Sequence, residues 1–170
     1  MVRPGDLDHV RAQFAAAGIP FIFDPGQAMP LFNGDELKQM ISQATYVTVN
    51  DYESLLMTDK TGLSVEEIRD MVEAYIITQG DKGSEIHTKD GVIQIPAAKP
   101  LRVVDPTGCG DAYRAGLIFG LMNGKDLTTA GRMASLMGAL KIEHLGPQNQ
   151  HFDYAQFAAK FKQAFGYSID

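Results

Sequence analysis

Residues 103–117 read Val-Val-Asp-Pro-Thr-Gly-Cys-Gly-Asp-Ala-Tyr-Arg-Ala-Gly-Leu. The apolar pair Val103 and Val104 predicts a strand, and the stretch from Ala112 onward predicts a helix. Between them, residues 105–111 form a tight glycine turn that places the carboxylate of Asp111 at the mouth of the helix. This strand–turn–helix unit is the building element of α/β proteins, and it predicts that fold class for the chain.

The turn has the properties of an anion-binding site. The first turn of a helix leaves N–H groups without partners and carries a positive partial charge. Gly108 and Gly110 lack a Cβ, so their backbone can approach a phosphate closely. Asp111 could accept the proton of an alcohol, which suits phosphoryl transfer to a hydroxyl group. A structural role stays open, because Asp is a common helix cap and Gly is common in such turns.

Other chemistries fit the turn less well. No Gly-Lys-Ser or Gly-Lys-Thr follows, as a P-loop requires, and the third glycine of the dinucleotide-binding motif is absent. An oxidoreductase is therefore disfavoured. Cys109 could be a nucleophilic thiol at a helix N-terminus. We interpret it instead as a small residue whose backbone N–H matters, since no histidine lies near it in the sequence to act as a base.

The composition is typical of one globular domain, because 170 residues are enough to bury a core. A net charge of −6 without any run of Lys or Arg argues against a nucleic-acid partner. A single cysteine excludes an internal disulfide and fits a reducing cytoplasm. We see no signal peptide and no long apolar run, so we expect a cytoplasmic protein without a membrane partner. The four histidines lack metal-ligand spacing.

Short apolar runs alternate with amphipathic segments, which is typical of a parallel sheet with crossover helices. The predicted strands are residues 19–23, 46–49, 74–78 and 103–104, with a hairpin formed by 84–87 and 92–95. The predicted helices are residues 6–17, 34–43, 51–58, a segment opening at Ser64, 111–122, 126–143 and 153–165. In helix 111–122, Gly116 and Gly120 share one face and are spaced for close packing on a neighbour.

Four polar or glycine-rich loops follow predicted strands, where ligands of parallel sheets bind. They are residues 24–27, 50–53, 78–83 and 105–111. Asn50 and Glu53 are one helical turn apart, so they could hold a hydrated magnesium ion, or else simply cap a helix. Residues 78–83 could wrap a nucleotide ribose or phosphate, or form a plain turn into the hairpin.

In this order, the four loops resemble the C-terminal half of the ribokinase-like (PfkB) sugar and nucleoside kinases. Residues 105–111 resemble the family's second signature, Asp-Thr-x-Gly-Ala-Gly-Asp, with Pro106 in the second place and Cys109 in place of alanine. Residues 50–53 resemble its Asn-x-x-Glu motif, and residues 78–83 its Thr-x-Gly-x-x-Gly loop. The resemblance extends from about residue 19 to 165 and is greatest to the bacterial adenosine kinase branch.

The resemblance implies a three-layer αβα fold with a mainly parallel sheet, and it implies catalytic roles. Asp111 would be the general base, and Gly108, Cys109 and Gly110 would offer N–H groups to the γ-phosphate of ATP. Asn50 and Glu53 would order Mg²⁺ through water.

Further binding roles follow from the same resemblance. Thr78, Gly80 and Gly83 would contact the nucleotide ribose or phosphates. Ser135 and Gly138 lie where the family's helix borders adenine, and Gln27 lies in a loop near the nucleoside. Asp105 and Thr107 match positions that bind a monovalent cation in some relatives, so the use of K⁺ is left open.

Family members are nearly twice as long as this chain. Residues 1–170 therefore match the C-terminal, ATP-binding and catalytic-base portion of a ribokinase-like domain, with the N-terminal part and the lid missing. We expect an exposed sheet edge and apolar surface, and with them either a homodimer or poor solubility. The expected activity is ATP-dependent phosphorylation of the primary hydroxyl of a nucleoside or sugar, with adenosine first. The alternative is a catalytically silent nucleotide-binding fragment.

Overall fold

The computed structural model describes residues 13–14 and 16–169, so most of the predicted helix 6–17 lies outside the described residues. The chain divides into two compact units. The first comprises Met1–Gln79 and Glu85–Ile93, and the second comprises Gly80–Ser84 and Gln94–Asp170. None of the helices in the described part of the chain is long and apolar enough to cross a membrane.

A five-stranded sheet has its strands in the order of the sequence. The strands are β1 (Ile22–Phe23), β2 (Tyr46–Asn50), β3 (Ala74–Thr78), β4 (Ser84–Thr88) and β5 (Gly91–Ile95). β1, β2 and β3 pair in parallel, with Asn50 opposite Thr78 in the register. β4 and β5 are adjacent and joined by two residues, which makes them the predicted hairpin. β3 reads as a continuous apolar run because its residues from Ala74 to Ile77 are all buried.

Three α-helices belong to the first unit: α1 (Gly34–Gln43), α2 (Asp51–Thr61) and α3 (Val65–Met71). A 3-10 helix, Gly26–Leu31, precedes them. Each α-helix begins with a capping box, in which the N-cap side chain and a Glu three residues later each accept a backbone N–H. The apolar faces of these helices and the strands form a core that includes Met29, Leu37, Ile41, Val47, Met57, Ile68 and Tyr75.

The second unit contains α4 (Cys109–Met122), α5 (Leu127–Ile142) and α6 (Tyr154–Phe165). The predicted close packing of Gly116 and Gly120 is confirmed. A Cβ on Gly116 would lie 2.8 Å from the Cα of Ala134, and one on Gly120 would lie 2.8 Å from the Cα of Ala130. The backbones of α4 and α5 therefore approach too closely for any side chain at either glycine. A separate core of α5 and α6 includes Met133, Leu140, Phe157 and Phe161.

The predicted strand at 103–104 is wrong. Residues 102–106 are irregular, and Val103 is 72% exposed. The backbone N–H groups of Val104 and Asp105 both donate to the carbonyl of Ile142, at 2.8 and 3.2 Å. The end of a helix leaves carbonyls without intrahelical partners. The carbonyl of Ile142 at the end of α5 therefore accepts the N–H groups that would otherwise pair with a neighbouring strand.

Candidate functional site

The turn before α4 has a conformation that requires glycine at one position. Gly108 is the N-cap of α4 and has a φ of 81°, in the left-handed region. A Cβ there would also lie 2.8 Å from the Cβ of Pro147. The N–H of Cys109 donates to the carbonyl of Pro106 at 3.1 Å, which closes the turn. The position of the turn is thus fixed by its own hydrogen bond and by its packing on Pro147.

The mouth of α4 offers backbone donors to an anion. Among the described residues, no acceptor is bonded to the N–H groups of Gly108, Gly110 and Asp111. They belong to the first turn of the helix, where N–H groups have no intrahelical partner. Of the three donors predicted from the sequence, Cys109 uses its N–H inside the turn. The N–H of Asp111, which the sequence analysis did not name, is a further donor available to an anion.

The Asp111 carboxylate is solvent-exposed and oriented by a neighbour. Its side chain is 75% exposed, and Oδ1 accepts a hydrogen bond from Nη2 of Arg114 at 2.7 Å. Arg114 lies one helical turn further along α4, and the same guanidinium passes 3.3 Å from where a Cβ on Gly110 would lie. Sequence reasoning missed Arg114, although Asp and Arg at an i,i+3 spacing are a recognised helical pair. Arg114 thus occupies Oδ1 of the Asp111 carboxylate.

The carboxylate of Asp105 is bonded within the second unit. Oδ1 accepts the N–H of Thr107 at 2.9 Å, and Oδ2 accepts the N–H of Gly146 at 2.8 Å. The ammonium of Lys141 lies 3.9 Å from Oδ2. Chiefly through the bonds from Thr107 and then Gly146, these contacts lower the pKa of Asp105 to about 2. Asp105 thereby connects the turn 105–111 to the segment that follows α5.

The hydrogen bonds of Asp105 predict a pH dependence of stability. The folded-state pKa lies below the ordinary value of 3.8. The stabilisation is therefore complete above about pH 4 and is lost as the pH falls towards about 2. We expect Asp105→Asn to lower the free energy of unfolding at pH 6, and this deficit to shrink as the pH falls from about 4 to 2. Urea unfolding of the unaltered chain and of Asp105→Asn across that pH range measures the difference in the free energy of unfolding. A difference that does not depend on pH would contradict the stabilising role of the Asp105 carboxylate.

The pKa of the Cys109 thiol is shifted in the direction opposite to that of an activated nucleophile. It is partly buried, and burial raises its pKa, with the nearby Lys141 ammonium opposing that shift only in part. A reactive cysteine needs the opposite shift, towards the thiolate. The structure thus favours the interpretation of Cys109 as a small residue in the turn.

Ser135 and Gly138, the predicted adenine neighbours, lie one helical turn apart on α5. The Ser135 hydroxyl donates to the carbonyl of Pro96 at 2.9 Å and accepts the N–H of Ala98 at 2.8 Å. It therefore fastens the chain after β5 to the helix. A Cβ on Gly138 would lie 3.8 Å from the carbonyl oxygen of Cys109, so this glycine faces the start of α4. Contact with adenine stays a prediction for both residues.

Asn50, Glu53 and Thr78 are neighbours in the first unit. Oδ1 of Asn50 accepts the N–H of Glu53 at 2.7 Å, and Oε2 of Glu53 accepts the N–H of Asn50 at 2.9 Å. The helix-cap alternative is thus the arrangement observed. Thr78, opposite Asn50 on β3, donates its hydroxyl to the carbonyl of Val49 at 3.3 Å. The capping box leaves Oε1 of Glu53 for other partners.

A magnesium ion would find no cage of protein ligands here. The described residues contain no cluster of three or more His, Cys, Asp or Glu side chains that could hold a metal ion. Magnesium sites in enzymes that use nucleotides commonly have one or two carboxylates, several waters and the substrate phosphates. Glu53 fits such a water-mediated site, with Asn50 beside it.

The remaining predicted site residues are Gly80, Gly83 and Gln27, and the structure explains only one of the two glycines by packing. Gly83 has a φ of 99°, and a Cβ there would overlap the carbonyl oxygen of Ile95, so packing alone explains this glycine. Gly80 also has a positive φ, of 61°, but a Cβ would meet nothing within 4 Å. Space for a ligand therefore exists at Gly80. Gln27 is exposed on the 3-10 helix of the first unit.

The predicted site residues fall into two groups that belong to different units. The first unit holds Asn50, Glu53 and Thr78 together, with Gln27 elsewhere in that unit. The second unit brings the turn 105–111 against α5 and the segment that follows it. Convergence of all four loops on one ligand stays a prediction.

The chain belongs to the pfkB family of carbohydrate kinases, whose model matches residues 3–152. The motifs at 50–53, 78–83 and 105–111 all lie within the matched region, so the resemblance inferred from them is confirmed. The chain has the ribokinase-like fold of its structural neighbours, a three-layer α/β architecture.

Proteins similar to this chain include nucleoside kinases and ribokinases. The nucleoside kinase of Methanocaldococcus jannaschii is 35% identical over 126 residues, which cover 74% of this chain and 42% of that protein. The nucleoside kinase of Burkholderia thailandensis in complex with inosine is 53% identical, with a TM-score of 0.95 over 96% of this chain and 54% of that one. Its complex described as ADP-inosine has a TM-score of 0.94 at 53% identity and covers 96% and 51%. The chain thus spans about half the length of the relatives it matches.

Proposed function

We propose that this chain carries the ATP-binding and catalytic-base portion of a kinase that phosphorylates the primary hydroxyl of a nucleoside. The observation that supports it most directly is the mouth of α4. There, unpaired N–H groups at Gly108 and Gly110 lie beside the exposed carboxylate of Asp111. Membership of the pfkB family and the similarity to nucleoside kinases support the same reaction class.

In the proposed mechanism, the γ-phosphate of ATP lies at the positive end of α4. The N–H groups of Gly108 and Gly110 neutralise the charge that develops on its oxygens as the bond to ADP breaks. Asp111 takes the proton of the acceptor hydroxyl through Oδ2, and that oxygen forms the new bond to phosphorus. Arg114 holds Oδ1, so the base is positioned before the acceptor arrives.

Mg²⁺ would supply charge neutralisation at the ATP phosphates. Glu53 would hold the ion through water, and the backbone N–H of Asn50 would orient its carboxylate. Thr78 and Gly80 would contact the ribose or phosphates of the nucleotide. K⁺ takes part in no step of this mechanism.

Substitutions at two matched helix caps distinguish the proposed role of Asn50 at the magnesium site from its role as a helix cap. Asn33 and Asn50 form the same capping box on α1 and α2. We expect Asn33→Ala and Asn50→Ala each to lower the free energy of unfolding by about 1 kcal/mol. We expect only Asn50→Ala to weaken Mg-ATP binding as well, by about tenfold. Urea unfolding and calorimetric titration with Mg-ATP measure the two effects. Equal binding by both variants would remove the Asn50 side chain from the magnesium site.

The test of the proposed function is ADP formation from Mg-ATP by the 170-residue chain, with adenosine and with inosine as acceptors. Adenosine is the acceptor implied by the resemblance to bacterial adenosine kinases, and inosine is the nucleoside in the complexes of the Burkholderia kinase. Acceptor-dependent ADP formation supports the proposal. The ratio of kcat/KM values for the two nucleosides then reports the preference.

A catalytically silent nucleotide-binding fragment is the second candidate. It is favoured by the length of the chain, which covers about half of each relative. Folded protein that binds ATP or ADP but transfers phosphate to no nucleoside or sugar would establish this alternative. A homodimer and a cytoplasmic location stay predictions, the former motivated by exposed apolar side chains such as Met122 at 82% exposure.

A further inference from the structure

A lysine side chain is fully buried beneath the turn 105–111. Lys141, in the last turn of α5, has 0% exposure. An isolated ammonium in such a place is costly, because it loses the water that stabilises its charge. This cost implies that the surroundings of Lys141 replace that water with oxygen atoms.

The oxygen atoms around Lys141 come from two segments of the second unit. The ammonium Nζ donates to the carbonyl of Asp105 at 2.6 Å and to the carbonyl of His144 at 3.3 Å. It lies 3.9 Å from Oδ2 of Asp105. The negative end of the α5 dipole adds to the attraction. Two backbone carbonyls and a carboxylate at the end of a helix form a cation-binding set.

The same kind of oxygen set binds free monovalent cations in other proteins, where carbonyl oxygens replace the hydration shell of K⁺. The family resemblance matches Asp105 and Thr107 to positions that bind a monovalent cation in some relatives. In this chain the carbonyl of Asp105 already accepts a hydrogen bond from the Lys141 ammonium, and Oδ1 and Oδ2 of Asp105 accept N–H groups. A K⁺ ion would have to compete with a tethered cation for these oxygens, so the residues present do not fit it.

We infer that the Lys141 ammonium is a built-in monovalent cation, which takes the place of free K⁺ and makes the turn 105–111 independent of it. The tethered charge holds Asp105 at the start of the turn to His144 after α5. The hydrogen bond from the N–H of Gly146 to Asp105 closes the same link from the other side. The geometry of the α4 mouth is thereby maintained without any ion from solution.

The melting temperature of the chain tests this role of Lys141 without any kinase activity. Melting is measured in KCl and in tetramethylammonium chloride at equal ionic strength. We expect the two salts to give the same melting temperature for the unaltered chain. A K⁺-specific rise would overturn the inference, as would displacement of bound Tl⁺ by K⁺ in thallium NMR. These measurements decide the matter even where a variant does not fold.

Removing the lysine should create a need for a free cation. We expect Lys141→Ala to lower the melting temperature by about 6–20 °C in tetramethylammonium chloride, because buried oxygens lose their partner. The vacated space then admits K⁺ or NH₄⁺. At tenfold excess over the dissociation constant, either ion should restore about 3–5 °C. Lys141→Ala that is destabilised but indifferent to both ions would contradict the inference.

Two control variants separate cation binding from general destabilisation. Lys125 also donates to a backbone carbonyl, that of Ile169 at 2.6 Å, but it has no second carbonyl partner among the described residues. Lys125→Ala should lose stability without a K⁺-specific recovery. Lys141→Met should behave likewise, because its side chain fills the space that the ion needs. K⁺-specific recovery in either control would show that the salt acts elsewhere and would overturn the assignment.

Discussion

Asp111→Asn is expected to reduce nucleoside-dependent ADP formation by about 100-fold or more, which is the contribution of a general base. The amide has nearly the shape of the carboxylate but cannot accept the hydroxyl proton. Binding of Mg-ATP should change little, because the N–H groups of Gly108 and Gly110 remain in place. Initial rates with adenosine and inosine, together with calorimetric titration of Mg-ATP, measure both quantities.

Asp35→Asn is the matched control for Asp111→Asn. Asp35 is an exposed acid in the first turn of α1, so its replacement removes the same charge from a similar helical position. We expect its rate to stay near that of the unaltered chain. An Asp111→Asn variant that keeps most of its rate, or an Asp35→Asn variant that loses as much, would refute the assignment of the base.

Gly116→Ala should destabilise the chain, because α4 has no room for the added methyl group at this position. The new Cβ would lie 2.8 Å from the Cα of Ala134 and 2.9 Å from the carbonyl oxygen of Met133, both of which are backbone atoms that cannot rotate away. Separating α4 from α5 costs about 1–3 kcal/mol in the free energy of unfolding. The melting temperature should fall by about 2–10 °C.

Gly138→Ala is the control for this packing prediction. Gly138 also lies in a helix interior, but its added Cβ would make only an ordinary contact, 3.8 Å from the carbonyl oxygen of Cys109. We expect a gain of up to about 1 kcal/mol, because alanine favours the helix over glycine. Thermal melting should therefore move in opposite directions for the two variants. A loss of equal size in both would mean that close approach to Ala134 is not the cause.

The elements predicted from local pattern agree with the structure where local physics decides them. The helix at 34–43 and the strand at 74–78 were predicted with the bounds observed, since a capping box and an apolar run are both readable from neighbouring residues. The capping alternative for Asn50 was readable in the same way. The strand at 103–104 failed because its backbone partner, the carbonyl of Ile142, is remote in the sequence.

The sequence by itself determined the family, the fold class and the glycine turn with Asp111 at the mouth of a helix. These follow from short motifs, whose chemistry depends on residue type and spacing over a few positions. Only the tertiary structure decided which groups of the turn are already bonded. In the structure, the N–H of Cys109 donates to the carbonyl of Pro106. The carboxylate of Asp111 accepts from Arg114, and the carbonyl of Asp105 accepts from Lys141. The last of these bonds joins residues 36 positions apart. Oxygen atoms that can replace the water around a buried ammonium come together only when distant segments pack against each other.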